Sequence, residues 1–125
     1  MNLRLVRAGH NSSLFYSSTT RECTEVKQNG MGLGLTNGTM FRNSIEELSI
    51  TPESGDIVLL YSDGLTEAMN SQSEEFGLQR LRGLLVRHSH DTATQIADEI
   101  IKEVNKFRGY AEIHDDITFI LLKKN

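Results

Sequence analysis

The stretch Gly55-Asp56-Ile57-Val58-Leu59-Leu60-Tyr61-Ser62-Asp63-Gly64-Leu65-Thr66-Glu67-Ala68 decides how the rest of the chain is read. Its apolar run, Ile57 to Tyr61, is too short for an ordinary helix and follows the turn formers Pro52 and Glu53-Ser54-Gly55-Asp56. It therefore reads as a buried central strand, apolar on both faces. Asp63-Gly64 ends the run, and the residues after it, Leu65 to Met69, favour helix over a returning strand. A carboxylate is thus set between a strand and a helix, a common position for functional side chains.

Working downstream, Leu78, Leu81 and Leu85 fall at helical spacing, with Arg80, Arg82 and Arg87 left for solvent. A clearer helix follows from Thr92 to about Phe107. Ala93, Ile96, Ala97, Ile100, Ile101, Val104 and Phe107 share one face, and Thr92 and Gln95 stand in capping-box spacing. Asp115-Asp116 then leads directly into a second β-prone run, Ile117 to Leu122. Upstream, Ile45, Leu48 and Ile50 suggest a half-buried strand. Residues 3 to 8 and 14 to 17 read as a hairpin joined by Gly9-His10-Asn11-Ser12-Ser13. Gly30, Gly32, Gly34 and Gly38 read as irregular backbone or tight packing, with Thr36-Asn37-Gly38 a turn, because no helix is expected there to gather N–H groups on a phosphate. Strands, then two helices, then a returning strand indicate an α+β layer in a single domain or part of one.

Seventeen acidic against thirteen basic residues give a net charge of -4, with no long basic run, which argues against nucleic acid as a partner. No apolar stretch approaches the ~20 residues of a membrane span, and residues 1 to 20 lack a signal-peptide core, so a soluble cytoplasmic protein is expected. Cys23 is the only cysteine. A metal would have to be held by oxygen or imidazole.

Asp63 stands where one strand ends and Asp115 just before another begins. If the two strands are antiparallel neighbours, ~4.8 Å apart, both carboxylates can reach one hard cation such as magnesium or manganese. The same residues have a plainer reading. Asp-Gly after a strand is a frequent turn, and paired aspartates often lie in a solvated loop.

With Arg7-Ala8-Gly9-His10-Asn11, Gly32-Leu33-Gly34, the stretch from Gly55 to Ala68, Phe76-Gly77 and Asp115-Asp116-Ile117-Thr118, the chain resembles the C-terminal half of SpoIIE-like and RsbU-like phosphatases. These are the bacterial branch of the type 2C, or PPM, serine/threonine phosphatases. The resemblance implies a type 2C-like β-sandwich flanked by helices, holding two Mn2+ or Mg2+ ions. A metal-activated water would hydrolyse phosphoserine, and no protein nucleophile would be required. Asp63 and Asp115 match the family's metal-binding aspartates, while Gly64 and Asp116 match supporting positions. His10 and Asn11 fall on the Gly-His-Asn motif, where a histidine more often satisfies local backbone than acts as acid or base. The substrate class implied is a phosphoserine protein in sigma-factor or stress signalling, such as an anti-anti-sigma factor.

The upstream Asp-x-x-Gly-His-Gly motif of that family is absent, and the chain opens inside a β-prone run. Residues 1–125 are therefore expected to be the C-terminal part of a phosphatase domain with only half of its site and little activity alone. Apolar sheet surface left uncovered would favour a homo-oligomer. The reading from a different class is a non-catalytic module that docks onto a phosphoprotein.

Overall fold

The computed structural model describes residues 1–125. Its elements in chain order are β1 (Leu3–Val6), β2 (Ser13–Ser17), β3 (Glu22–Val26), α1 (Gly38–Ser44), β4 (Glu47–Ile50), β5 (Ile57–Tyr61), α2 (Asp63–Thr66), α3 (Gly77–Arg87), α4 (Ala93–Arg108) and β6 (Phe119–Lys123). One antiparallel sheet has the order β3-β2-β5-β6, and β1 and β4 form a second, two-stranded sheet.

The run Ile57 to Tyr61 is the central strand expected of it. Ile57 and Leu59 are wholly buried. Leu59 is flanked by Leu14 on β2 and Leu121 on β6, and Tyr61 faces Phe119. Tyr16, Cys23, Ile57 and these residues give the sheet one continuous apolar face, on which α3 and α4 bury Leu81, Leu84, Leu85, Ile96, Ile100 and Val104. Each fully buried residue of this size contributes roughly 1.5–3 kcal/mol relative to exposure.

The turn entering β5 is built on Asp56, a buried carboxylate. It accepts hydrogen bonds from the Ser18 amide (2.7 Å), the Ser18 hydroxyl (2.9 Å) and the Glu53 amide (2.8 Å). Gly55, at a φ of +89°, takes the left-handed conformation that the turn requires.

Helix α4 starts at Thr92 with the capping box in place. The Gln95 amide donates to Thr92 Oγ1 at 3.2 Å, and the Thr92 amide to Gln95 Oε1 at 2.9 Å. Its buried stripe is narrower than the spacing suggested. Ile101 is 49% exposed, because the helix contacts the sheet along the line Ile96–Ile100–Val104 and Ile101 is turned a further 100° round the axis. Phe107, half-buried, meets Phe76 edge to face at 5.5 Å and carries the Arg80 guanidinium over its ring at 4.5 Å. On α3, Arg82 is not left to solvent. It donates from Nε (2.9 Å) and Nη2 (2.6 Å) to the Cys23 carbonyl and so ties the helix to the edge strand β3. Burial pushes the Cys23 thiol up to about 11, against the opposing pull of Arg82.

Three further expectations differ from the structure. Residues 3 to 17 do not form a hairpin: β1 pairs with β4 (Leu5↔Leu48) and β2 with β3 and β5, so Gly9 to Ser12 is a crossover between sheets. Gly9 makes this passage possible, with a φ of +79° and a Cβ position only 2.7 Å from Gly32 Cα. Gly30 is packed as tightly, its Cβ position lying 2.0 Å from the Arg7 carbonyl oxygen. Thr36-Asn37-Gly38 is a helix start, with the Asn37 side chain accepting from the Met40 amide at 3.0 Å. The last strand begins at Phe119 rather than Ile117, because Thr118 still bonds to Ser62 beyond the ladder.

Ile100 and Ile101 test this packing. Ile100→Asp is expected to abolish cooperative thermal unfolding, since an unpaired buried charge costs several kcal/mol of a total near ~5–15. Ile101→Asp is expected to shift stability by less than about 1 kcal/mol, as at other exposed positions. Equal melting of the two variants would contradict the assigned face.

Candidate metal site at the end of the central sheet

The β5–β6 pairing ends with Tyr61 opposite Phe119, and the contact continues past the ladder. The Ser62 amide donates to the Thr118 carbonyl (2.8 Å), and the Thr118 amide donates to Ser62 Oγ (3.0 Å). This double link holds the start of α2 against residues 115–118. Asp63 is the first residue of α2 and Asp115 lies in the facing segment, both exposed. The exit of β5 into Asp63 therefore lies against the segment that leads into β6, with Asp115 four residues ahead of that strand.

Gly64 explains how closely they meet. A Cβ there would lie 2.1 Å from the Asp116 carbonyl oxygen and 3.5 Å from the Asp115 carbonyl carbon. Its φ is not left-handed, so the need for glycine comes from this backbone approach and not from turn geometry. The Leu65 amide bonds back to the Ser62 carbonyl (3.1 Å), and the Thr66 hydroxyl to the Asp63 carbonyl (3.4 Å), closing the short helix.

Asp116 supports its neighbour through its backbone. Its amide donates to Asp115 Oδ1 at 2.8 Å, which orients that carboxylate and leaves Oδ2 free. Glu67 caps α2 and is exposed. Of the other histidines, His88 pairs with Asp91 at 2.8 Å, far along the chain from this end, and His114 lies beside Asp115 on the wall of a small cavity of about 120 Å³.

The sheet register adds residues that spacing alone did not bring here. β2 runs antiparallel to β5, so its lead-in, His10 to Ser12, passes the same end of the sheet as Asp63. β3 ends at Val26 opposite Ser13, which carries the Gly30–Gly38 segment to that end as well. The Gly9–Gly32 contact is the visible link between the two glycine motifs.

The donor set is two hard carboxylates, suited to magnesium or manganese. No group of three or more His, Cys, Asp or Glu side chains converges anywhere in the chain. Asp63 and Asp115 are the candidate oxygen donors for such an ion.

The mixed α+β layer of sheet and helices has the fold of solved type 2C phosphatase domains. The solved SiaA-PP2C domain of Pseudomonas aeruginosa superposes with a TM-score of 0.77 at 20% identity, over 98% of this chain and 47% of that one. The SpoIIE phosphatase domain from Bacillus subtilis, presoaked with manganese, gives 0.69 at 18%, over 99% and 51%. The family model for stage II sporulation protein E (SpoIIE) matches residues 1–125, and the chain belongs to that family. The phosphoserine phosphatase RsbU of Bacillus subtilis is 28% identical over 119 residues, 94% of this chain. The chain spans 33% of RsbU and about half of each solved domain.

Gly64→Ala tests the close approach. Overpacking against backbone is expected to cost about 1–3 kcal/mol in urea unfolding and to shift the amide resonances of residues 115–118. An alanine variant of unchanged stability and unchanged shifts would remove the argument for Gly64.

Proposed function

We propose that the chain is the C-terminal part of a metal-dependent serine/threonine phosphatase domain acting on a phosphoserine protein. The observation that carries this reading is the β5–β6 register, which supports a common site for Asp63, just after β5, and Asp115, ahead of β6, in a chain of the SpoIIE family. The two Mn2+ or Mg2+ ions of such a site supply, when bound, an activated water and positive charge against the phosphoryl oxygens. What this chain contributes is placement. Asp63 and Asp115 present exposed carboxylate oxygens, the Asp116 amide fixes the orientation of Asp115, and Gly64 lets the two backbones touch.

Two carboxylates carry half of the charge needed to balance two divalent ions, which supports further ligands in an upstream half. The sheet supports the same conclusion. On the face away from α3 and α4, Ile120 is 56% exposed and Leu122 38%, and β6 has a partner on one side only. In the longer protein the upstream half would cover this face. In the isolated chain a second copy would do so. The substrate belonging to sigma-factor or stress control, an anti-anti-sigma factor among the candidates, and a cytoplasmic location are parts of the same proposal, supported by the likeness to RsbU. No helix is long and apolar enough to cross a membrane.

The longer protein is expected to release phosphate from a phosphoserine peptide with manganese and to stop on chelation. Asp63→Asn and Asp115→Asn should each lower kcat by about 100-fold or more, since loss of outer-shell partners alone commonly costs 10–100-fold. The 125-residue chain should turn over little and scatter light as a dimer or larger species. Absence of hydrolysis by the longer protein would turn the reading towards a phosphoprotein-binding module. Brisk manganese-dependent turnover by the short chain, lost in Asp63→Asn, would show a complete site within these residues.

A further inference from the structure

Ser62 stands immediately ahead of α2, at the capping position, where serine is favoured because its hydroxyl accepts from an amide of the first helical turn. Its side chain makes no such bond. The hydroxyl is committed instead to the facing segment, accepting from the Thr118 amide at 3.0 Å and donating, at a longer 3.4 Å, to the Asp116 carbonyl. The Ser62 amide adds a third bond across the gap, to the Thr118 carbonyl at 2.8 Å.

At a hydrogen-bonded position of an antiparallel ladder, two residues exchange two main-chain bonds, each amide to the other's carbonyl. Here one of the two is rewritten. The Ser62 carbonyl accepts from the Leu65 amide at 3.1 Å, which closes the first turn of α2, and the hydroxyl takes its place opposite Thr118. The chain can therefore enter the helix at Asp63 while its pairing with Thr118 continues. One side chain thus ties the residue before Asp63 to the main chain of Asp116, whose amide in turn holds Asp115 Oδ1.

We propose that Ser62 is a positioning residue for the metal site, its hydroxyl setting how the Asp63 and Asp115 carboxylates stand to one another and so how well they fit a divalent ion. The proposal rests on the reading of those two aspartates as ligands, and it concerns a side chain that acts only through them. Alanine at this position strips the Thr118 amide of its acceptor and removes the tie to Asp116, leaving one hydrogen bond, from the Ser62 amide, across the gap. Threonine keeps the hydroxyl, and its branched side chain suits the extended backbone of Ser62, at a φ of -84° and a ψ of 160°.

The test has two readouts. In the metal-free 125-residue chain, kept in chelator, hydrogen exchange at the Thr118 amide is expected to quicken about tenfold in Ser62→Ala, the worth of one hydrogen bond, and to slow again in Ser62→Thr. In the longer protein, affinity for Mn2+ alone, read by water-proton relaxation, is expected to fall about tenfold or more in Ser62→Ala, as when a group supporting a metal ligand is lost, and to return in Ser62→Thr. Ser18→Ala is the control. It removes a hydroxyl bonded to Asp56 at the entry to β5, and should lower the melting temperature while leaving manganese affinity unchanged. Should Ser62→Ala fail to fold, Ser62→Val, which has the shape of threonine without the hydroxyl, is held to the same criteria. Thr118 exchange that the loss of the hydroxyl leaves unaltered would overturn the proposal, as would manganese affinity that survives that loss or falls equally in Ser18→Ala. A longer protein that binds manganese but hydrolyses no phosphopeptide would remove the phosphatase reading and leave this proposal standing, whereas manganese binding indifferent to Ser62 would remove this proposal and leave the phosphatase reading standing.

Discussion

The antiparallel pairing of β5 with β6 is the constraint on which the rest depends. β5 is buried along almost its whole length, so its backbone groups have no water to fall back on and need strand partners on both sides. β2 satisfies one side and β6 the other. β6 comes from the far end of the chain, after both long helices, and its pairing closes the layer in which α3 and α4 lie on the sheet. The same pairing carries the segment of Asp115 back to that of Asp63 across the fifty-one residues between them. Core formation and the approach of the Gly64 backbone to residues 115–116 are therefore one event.

That coupling explains the small residues at the junction. Ser62 exchanges hydrogen bonds with Thr118 where the ladder would otherwise fray, and Gly64 has no side chain because the Asp116 carbonyl occupies the space. At the opposite end, the buried Asp56 fixes the entry to β5, while the Gly55 amide and the Asp56 carbonyl bond Lys124. The central strand is pinned at both ends by residues of the one stretch from Gly55 to Ala68. Its sequence is dense in small and acidic residues for geometric reasons that hold whether or not a metal is bound.

How much of this the sequence disclosed follows from which forces act locally. β5 was legible because five apolar residues between turn formers have few alternatives, and α4 because its period and its Thr92–Gln95 box are both local signals. The pairing of β1 was not legible. Leu3, Leu5, Leu48 and Ile50 find each other across more than forty residues, and a Gly-His-Asn segment between two β-prone runs looks the same whether it turns back or crosses over. β3 was missed because Glu22, Thr24 and Glu25 dilute its apolar signal at an edge, where charge is tolerated. α1 was missed because it buries none of its residues, so no apolar stripe announces it, although Asn37 before Thr39-Met40-Phe41 was an available capping signal.

The candidate site shows the same division. The two aspartates were visible as strand-end carboxylates, but the means of holding them was not. The Asp116 backbone amide, rather than its carboxylate, steadies Asp115, and a main-chain donor leaves no trace in residue type. Arg7 is the converse case. Its charge is plain in the sequence, yet only the fold brings its guanidinium to the Ser12 hydroxyl, with its Nε buried and unpartnered. Residue types narrow the chemistry available to this domain, and strand register decides which of those residues can act on the same ligand.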